Sequence, residues 1–251
     1  MSAPKVLVHP DAELLAAGVA ARLVSRLIEV LAEKESASVV LTGGGSGLAA
    51  LAAVAADPAR DAVDWSRVDF WWGDERFLPE GDPERNETGA REALLDRIPV
   101  DPARVHVMRG PDGPDGDDAD ASAARYAAEL AAAAPGRTPA VPAFDVLMLG
   151  VGPDAHIASL FPGHPEVHER SRTAVGVHDS PKPPPTRISL TVPAIQAAEE
   201  VWVIVAGAGK AEAVRLGLSG AEAAKAPVAT ARGRRATYYF LDREAASALP
   251  A

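Results

Sequence analysis

Two side chains, Asp154 and His156, carry the sharpest chemical signal in this sequence. They sit in residues 144–165, FDVLMLGVGPDAHIASLFPGHP. An imidazole titrates near neutrality, so it can act as a general base without large tuning. A nearby carboxylate can fix its tautomer and stabilise the imidazolium. The two-residue spacing alone leaves open whether the side chains meet. Residues 144–149 read as a buried strand, and Gly150-Val151-Gly152-Pro153 breaks it. Polar groups just past the carboxyl end of a buried strand are where open α/β sheets put active sites. His9, His106, His164, His168 and His178 lack that setting. His164 and His168 flank a proline and no His-Glu-x-x-His helix occurs, so metal binding is not indicated.

A second candidate is the run Thr42-Gly43-Gly44-Gly45-Ser46-Gly47, between a strand and a helix. Glycines let backbone N–H groups turn toward an anion, and a helix N-terminus adds its dipole. Gly43, Gly44, Gly45 and Ser46 are therefore candidates for a phosphate cradle. The run is not a P-loop, because no Lys-Ser/Thr pair follows, nor a dinucleotide fingerprint, because Leu48 fills the third glycine position. A plain tight turn is the bland alternative. Arg187 at a strand entrance and Lys210 in a first helical turn are separate cations, each readable as a surface charge. Lys210 follows Gly207 and Gly209 and opposes the helix dipole, a cost that a bound anion would offset. Asp74, Glu75 and Arg76 follow a Trp-rich strand. They read as solvated or mutually paired charges, or else Asp74 and Arg76 grip sugar hydroxyls or a carbonyl at the sheet's carboxyl edge.

The elements that must position these groups follow from hydrophobic spacing. Leu15, Val19, Leu23, Leu27 and Leu31 recur every four residues, predicting an amphipathic helix to about Lys34 with Asp11 as its cap. Strands are predicted at 5–9, 38–41, 68–72, 104–108, 144–149, 187–192, 201–205 and 237–240. Helices are predicted from near Leu48, at 87–97, at 121–134 and from Lys210 to about Leu218. Residues 110–120 read as an acidic, exposed loop. Pro181-Lys182-Pro183-Pro184-Pro185 reads as a rigid extended connector. Strands alternating with helices predict an α/β fold with a mainly parallel, doubly wound, Rossmann-like sheet flanked by helices. Neither a repeat nor a break in composition divides residues 1–251, so a single domain is expected.

The formal net charge of −10 argues against a nucleic-acid or anionic-membrane surface, which needs a basic face. It does not exclude a small anion held by a few local donors. The absence of cysteine removes disulfides and thiolate chemistry. With no long apolar span, a cytoplasmic location is expected.

Together, Thr42-Gly43-Gly44-Gly45-Ser46, Trp72-Gly73-Asp74-Glu75-Arg76-Phe77, Arg85-Asn86-Glu87, residues 150–162 and Arg187-Ile188-Ser189-Leu190-Thr191 resemble the 6-phosphogluconolactonase family. That family is similar in fold to glucosamine-6-phosphate deaminase. The deaminases are expected to carry Asp-Glu-Tyr at 74–76 and Phe-Asn-Glu-Pro at 159–162, and this chain has neither. The resemblance implies hydrolysis of 6-phospho-D-glucono-1,5-lactone in the oxidative pentose phosphate pathway, with no metal and no organic cofactor. It implies that His156 is the base with Asp154 beside it. Asp74, Arg76 and Asn86 would line the lactone ring, and the glycine loop, Arg187 and Lys210 would hold the phosphate. The expected partner is the sugar-phosphate lactone alone, without nucleic acid or membrane, and the chain is expected to be a monomer or weak homodimer. Two positions depart from the family pattern. Ala155 replaces the usual glycine, and a positive φ there would cost about 1 kcal/mol. Gly45 replaces a hydroxyl, which shifts phosphate binding toward backbone donors. Two rivals stay open: an amino-sugar-phosphate isomerase/deaminase, revealed by ammonia release, and a sugar-phosphate sensor, which should carry a basic DNA-binding module.

Overall fold

Strand β1 (Lys5–His9) leads into helix α1 (Ala12–Glu33) in a computed structural model that describes residues 3–250. Asp11 caps α1, its carboxylate accepting from Leu14 N–H at 2.8 Å. Leu15, Val19, Leu23 and Leu27 form the buried stripe of α1, as their four-residue spacing requires. The chain then alternates: β2 (Ala37–Leu41), α2 (Gly44–Ala56) and β3 (Val68–Trp72). β4 (Asp74–Arg76), α3 (Asn86–Ala93), α4 (Ala119–Ala132) and β5 (Val146–Leu149) follow. The last part holds β6 (Ala174–Val177), β7 (Arg187–Leu190), α5 (Val192–Gln196), β8 (Glu200–Val205), α6 (Ala211–Ser219) and β9 (Ala236–Asp242).

Six strands form one parallel sheet in the order β1-β9-β8-β5-β2-β3. From β2 the chain steps outward to β3. From β5 it steps the other way, through β8 to β9. The direction of winding therefore reverses between β2 and β5, which lie side by side. Every residue of β5 and β8 is buried, the signature of strands covered on both faces. No described helix is long and apolar enough to cross a membrane.

A second sheet, β4-β7-β6, is antiparallel. Its three short strands carry little periodic signal, and sequence spacing predicted only β7. Gly73 is the corner between the sheets. Its N–H donates to Leu41 C=O at 3.2 Å, and its C=O accepts from Leu190 N–H at 2.8 Å. Three local expectations change. The predicted strand at 104–108 is reduced to a single bridge between Phe70 and Val105, because a 3-10 turn at Pro102–Arg104 leaves too short a run to pair. Helix α2 begins at Gly44 and not at Leu48, so the glycines form its first turn. The predicted helix at 87–97 ends at Ala93 and continues as a 3-10 turn over Leu95–Arg97.

His106, beside that bridge, is a stability element. Its ring stacks on Trp71 at 3.8 Å between centroids and 6° between planes. Nδ1 lies 2.7 Å from Glu129 Oε1 and Nε2 3.2 Å from Asp69 Oδ1. Burial opposes the charged ring, but Asp69 and Glu129 together push His106 up to about 9. The folded protein thus holds this proton more tightly than the unfolded chain does. The resulting stabilisation is complete below the ordinary histidine range and fades as pH rises through 9. In thermal melts, the Tm gap between the parent chain and His106→Gln should be widest near pH 6 and shrink toward pH 10. A gap independent of pH would contradict the charged pairing.

Candidate active site

Because the winding reverses between β2 and β5, a crevice opens past their carboxyl ends, the general binding position in open α/β sheets. The two loops that leave there, 42–47 and 150–156, are tied together by Gly150 N–H donating to Thr42 Oγ1 at 3.1 Å. A cavity of 290 Å³ fills the crevice, at the small end of ligand clefts and sized for one small molecule. Gly43, Gly44, Gly45, Ser46, Asp74, Arg76, Asn86, His156, Arg187 and Lys210 all line it. Of the sequence-predicted site residues only Asp154 stands outside the lining, directly behind the imidazole.

The imidazole is set by a tight turn. Ala155 N–H donates to Gly152 C=O at 2.9 Å, and Gly152 N–H to His156 C=O at 3.1 Å. This closure puts Ala155 at φ 68°, the left-handed conformation that alanine tolerates at a cost of about 1 kcal/mol. The turn brings Asp154 Oδ1 to 2.6 Å from His156 Nδ1. Burial works against ionisation of Asp154, but hydrogen bonds and charge from His156 and Lys182 hold its carboxyl far below the usual range. With an ionised partner on Nδ1, the neutral ring carries its proton there and keeps the Nε2 lone pair for chemistry. Phe161 lies under the ring, 4.6 Å between centroids.

The second sheet delivers the opposite wall. Asn86 Nδ2 donates to Asp74 C=O at 2.8 Å and sits 3.3 Å from Asp74 Oδ1. Ser159 Oγ donates to Asp74 Oδ2 at 2.7 Å. Glu75 does not reach the cavity. Its buried carboxylate accepts from the N–H groups of Arg76, Asn86 and Glu87 at 2.8, 2.7 and 2.8 Å. It thereby fastens the start of α3 to β4. Burial pushes Glu75 up to about 7, against the pull of Arg85 and these three donors. Arg76 is held through Nη1 on Glu84 C=O.

The groups available to an anion come from three directions. The first turn of α2 has no side-chain cap, so its N–H donors remain for an anion. Lys210 stands at the N-terminus of α6. Burial pushes its amine down, helped by the charge of Lys182 and opposed by Asp242. Arg187 is 4% exposed. Burial pushes its guanidinium down, against the attraction of Asp74. Arg187 has a second task that its sequence position did not suggest. Nε and Nη2 donate to the carbonyls of Pro184, Lys182 and Pro183 at 3.2, 3.1 and 3.0 Å, holding the proline strap over the cavity.

Sequence reasoning missed Lys182, Gly152, Ser159 and the supporting role of Glu75. Lys182 reads as a surface lysine in a connector, yet its Nζ lies 3.2 Å from Asp154 Oδ1. A lysine fixed among four prolines was the available signal. Among the described residues, no cluster of three or more His, Cys, Asp or Glu side chains is disposed to hold a metal ion.

Fold and site together define a class: an α/β enzyme with a polar, cation-rich cavity at the switch point of a parallel sheet. Residues 10–239 match the model of the family described as glucosamine-6-phosphate isomerases/6-phosphogluconolactonase. The chain is 61% identical over 248 residues to the 6-phosphogluconolactonase of Streptomyces coelicolor, covering 98% of this chain and 95% of that one. It is 47% identical to the 6-phosphogluconolactonase of Mycobacterium tuberculosis over 97% of both chains. The solved structure of the 6-phosphogluconolactonase from Trypanosoma brucei superposes with a TM-score of 0.80 at 30% identity, covering 98% of this chain and 99% of that one. The chain belongs to the glucosamine-6-phosphate isomerase/6-phosphogluconolactonase family.

Gly152 is the position where the turn tolerates least. A Cβ there would lie 2.1 Å from His156 Nδ1 and 2.3 Å from Asp154 Oδ1, inside the hydrogen bond itself. Gly152→Ala should therefore separate the pair and lower kcat by about 10²-fold or more while the chain still folds. Circular dichroism with a lactone hydrolysis assay checks this, and parental kcat would show that the pair has slack.

Proposed function

We propose that the chain hydrolyses 6-phospho-D-glucono-1,5-lactone to 6-phospho-D-gluconate, in the oxidative pentose phosphate pathway, with His156 as general base. Residues 1–251 act as one domain, working in the cytoplasm as a monomer or weak homodimer. One apolar core running from Leu15 to Ala245 supports the single-domain reading. The relatives' names support the substrate. The observation that carries the mechanism is the imidazole held by Asp154 at 2.6 Å inside the cavity that the glycine turn, Arg187 and Lys210 also line.

A lactone is an internal ester, so hydrolysis needs an activated water and stabilisation of a transient oxyanion. His156 Nε2 removes a proton from a water set against C1 as the oxygen bonds to that carbon. The negative charge gathering on the carbonyl oxygen is met by Arg76 or by backbone N–H groups. When the tetrahedral centre collapses, the C1–ring oxygen bond breaks, and the imidazolium returns its proton to the departing oxygen. The new carboxylic acid then ionises. Asp154 keeps Nδ1 protonated throughout and stabilises the imidazolium between the two transfers. Asp74 and Asn86 hold ring hydroxyls. The α2 N-terminus, Ser46, Arg187 and Lys210 hold the phosphate, which fixes the ring against the base. This positioning matters most for a substrate that already hydrolyses unaided.

Two variants test the assignment on freshly generated lactone with the spontaneous rate subtracted. His156→Ala should lose about 10²- to 10⁴-fold in kcat and keep its affinity for 6-phosphogluconate. Turnover close to the parent would refute the base. Lys210→Ala should chiefly raise KM, because phosphate contacts persist from ground state to transition state. A pure kcat defect at unchanged KM would remove Lys210 from the phosphate site.

A further inference from the structure

The strap at 181–185 brings a third party to the Asp154–His156 pair. Lys182 Nζ lies 3.2 Å from Asp154 Oδ1, the same oxygen that takes the imidazole at 2.6 Å. It also lies 3.3 Å from His156 Nδ1. The geometry leaves Lys182 little choice of position. Lys182 C=O accepts from Arg187 Nη2 at 3.1 Å and from Ser180 Oγ at 3.0 Å, and Ser180 N–H donates to Pro185 C=O at 2.9 Å. The prolines on either side stiffen the segment further. A flexible lysine is thus mounted on a braced strap and aimed at one carboxylate oxygen.

We propose that Lys182 is a positioning residue for the base: its ammonium shares Asp154 Oδ1 with His156 and keeps the imidazole neutral, with Nε2 free, until the substrate is bound. A carboxylate alone at 2.6 Å would favour the imidazolium, and an imidazolium cannot act as a base. A cation at 3.3 Å from Nδ1 opposes that second positive charge and takes up part of the carboxylate's field. Other charged groups also surround the ring. Arg76 and Asp74 face the cavity from β4, Arg187 from β7 and Lys210 from the start of α6. Two of these cations are already engaged: Arg76 with Glu84, and Arg187 with the strap. Lys182 alone among them is within hydrogen-bond distance of both members of the pair. An incoming phosphate dianion would draw on Lys182 and Lys210, whose charges sense each other. Asp154 would then be left to His156 when the imidazolium has to form.

This inference rests on His156 being the base, and the test separates the two. The Lys182 side chain is 37% exposed, so Lys182→Met should fold. In that variant the His156 ring resonance, followed by NMR against pH without substrate, should titrate about one pH unit higher than in the parent chain. The acid limb of kcat/KM should move up with it, while the phosphate contact that Lys182 also offers lowers kcat/KM equally at every pH without moving that limb. An unmoved ring titration, or an acid limb of kcat/KM that stays where the parent chain has it, overturns the proposal. If the ring titration moves while His156→Asn retains turnover, the base assignment fails and the coupling of Lys182 to the imidazole stands.

Discussion

One hydrogen bond, 2.6 Å from Asp154 to His156, sets the terms for the structure around it. It joins residues only two apart, which an extended strand or a helix would point in different directions. A tight turn is needed, and that turn has two local requirements. Gly152 must lack a Cβ, because the bond occupies that space. Residue 155 must take a positive φ, which alanine adopts here at about 1 kcal/mol. Against a typical stability of roughly 5–15 kcal/mol, that strain is affordable where a displaced imidazole is not. Val228 N–H also donates to Ala155 C=O at 3.0 Å, so the strained turn is pinned from the far end of the chain.

The second constraint is topological. The parallel sheet can offer only loops at its carboxyl edge, and loops alone would leave the crevice open on one side. The small antiparallel sheet closes it. β4 leaves β3 at the Gly73 corner, pairs with β7, and carries Asp74 and Arg76 across from the imidazole. Glu75, pointing the other way, is buried and fastens the start of α3. Alternation along one three-residue strand thus yields two kinds of carboxylate: Asp74 toward the cavity and Glu75 toward the scaffold. The same strand explains why Arg187 matters beyond its charge. From its position opposite Arg76 it reaches the strap that carries Lys182.

Charge is distributed against the average. The chain carries a formal net charge of −10, yet Arg76, Lys182, Arg187 and Lys210 all line one cavity. A negative net charge repels polyanions at long range, while partial burial strengthens the local field felt by a small dianion. Lowered proton affinities at Lys210 and Arg187 record burial first, and then the crowding of positive charge from Lys182 and Arg76. A bound phosphate would relieve this crowding.

What the sequence determined by itself was whatever is written in local spacing: the apolar stripe of α1, the buried runs of β5 and β8, and the alternation that makes the fold α/β. The chemistry-bearing residues were legible for the same reason, since glycine runs and an Asp-x-His after a buried strand carry their meaning within a few positions. Only the tertiary structure decided that the loop after β2 and the loop after β5 are neighbours, because that follows from strand order and not from spacing. It also decided the roles of Glu75, Ser159 and Lys182. Each acts through a partner 11 to 85 positions away, and no local pattern distinguishes a lysine in a connector from one braced against the carboxylate that holds His156.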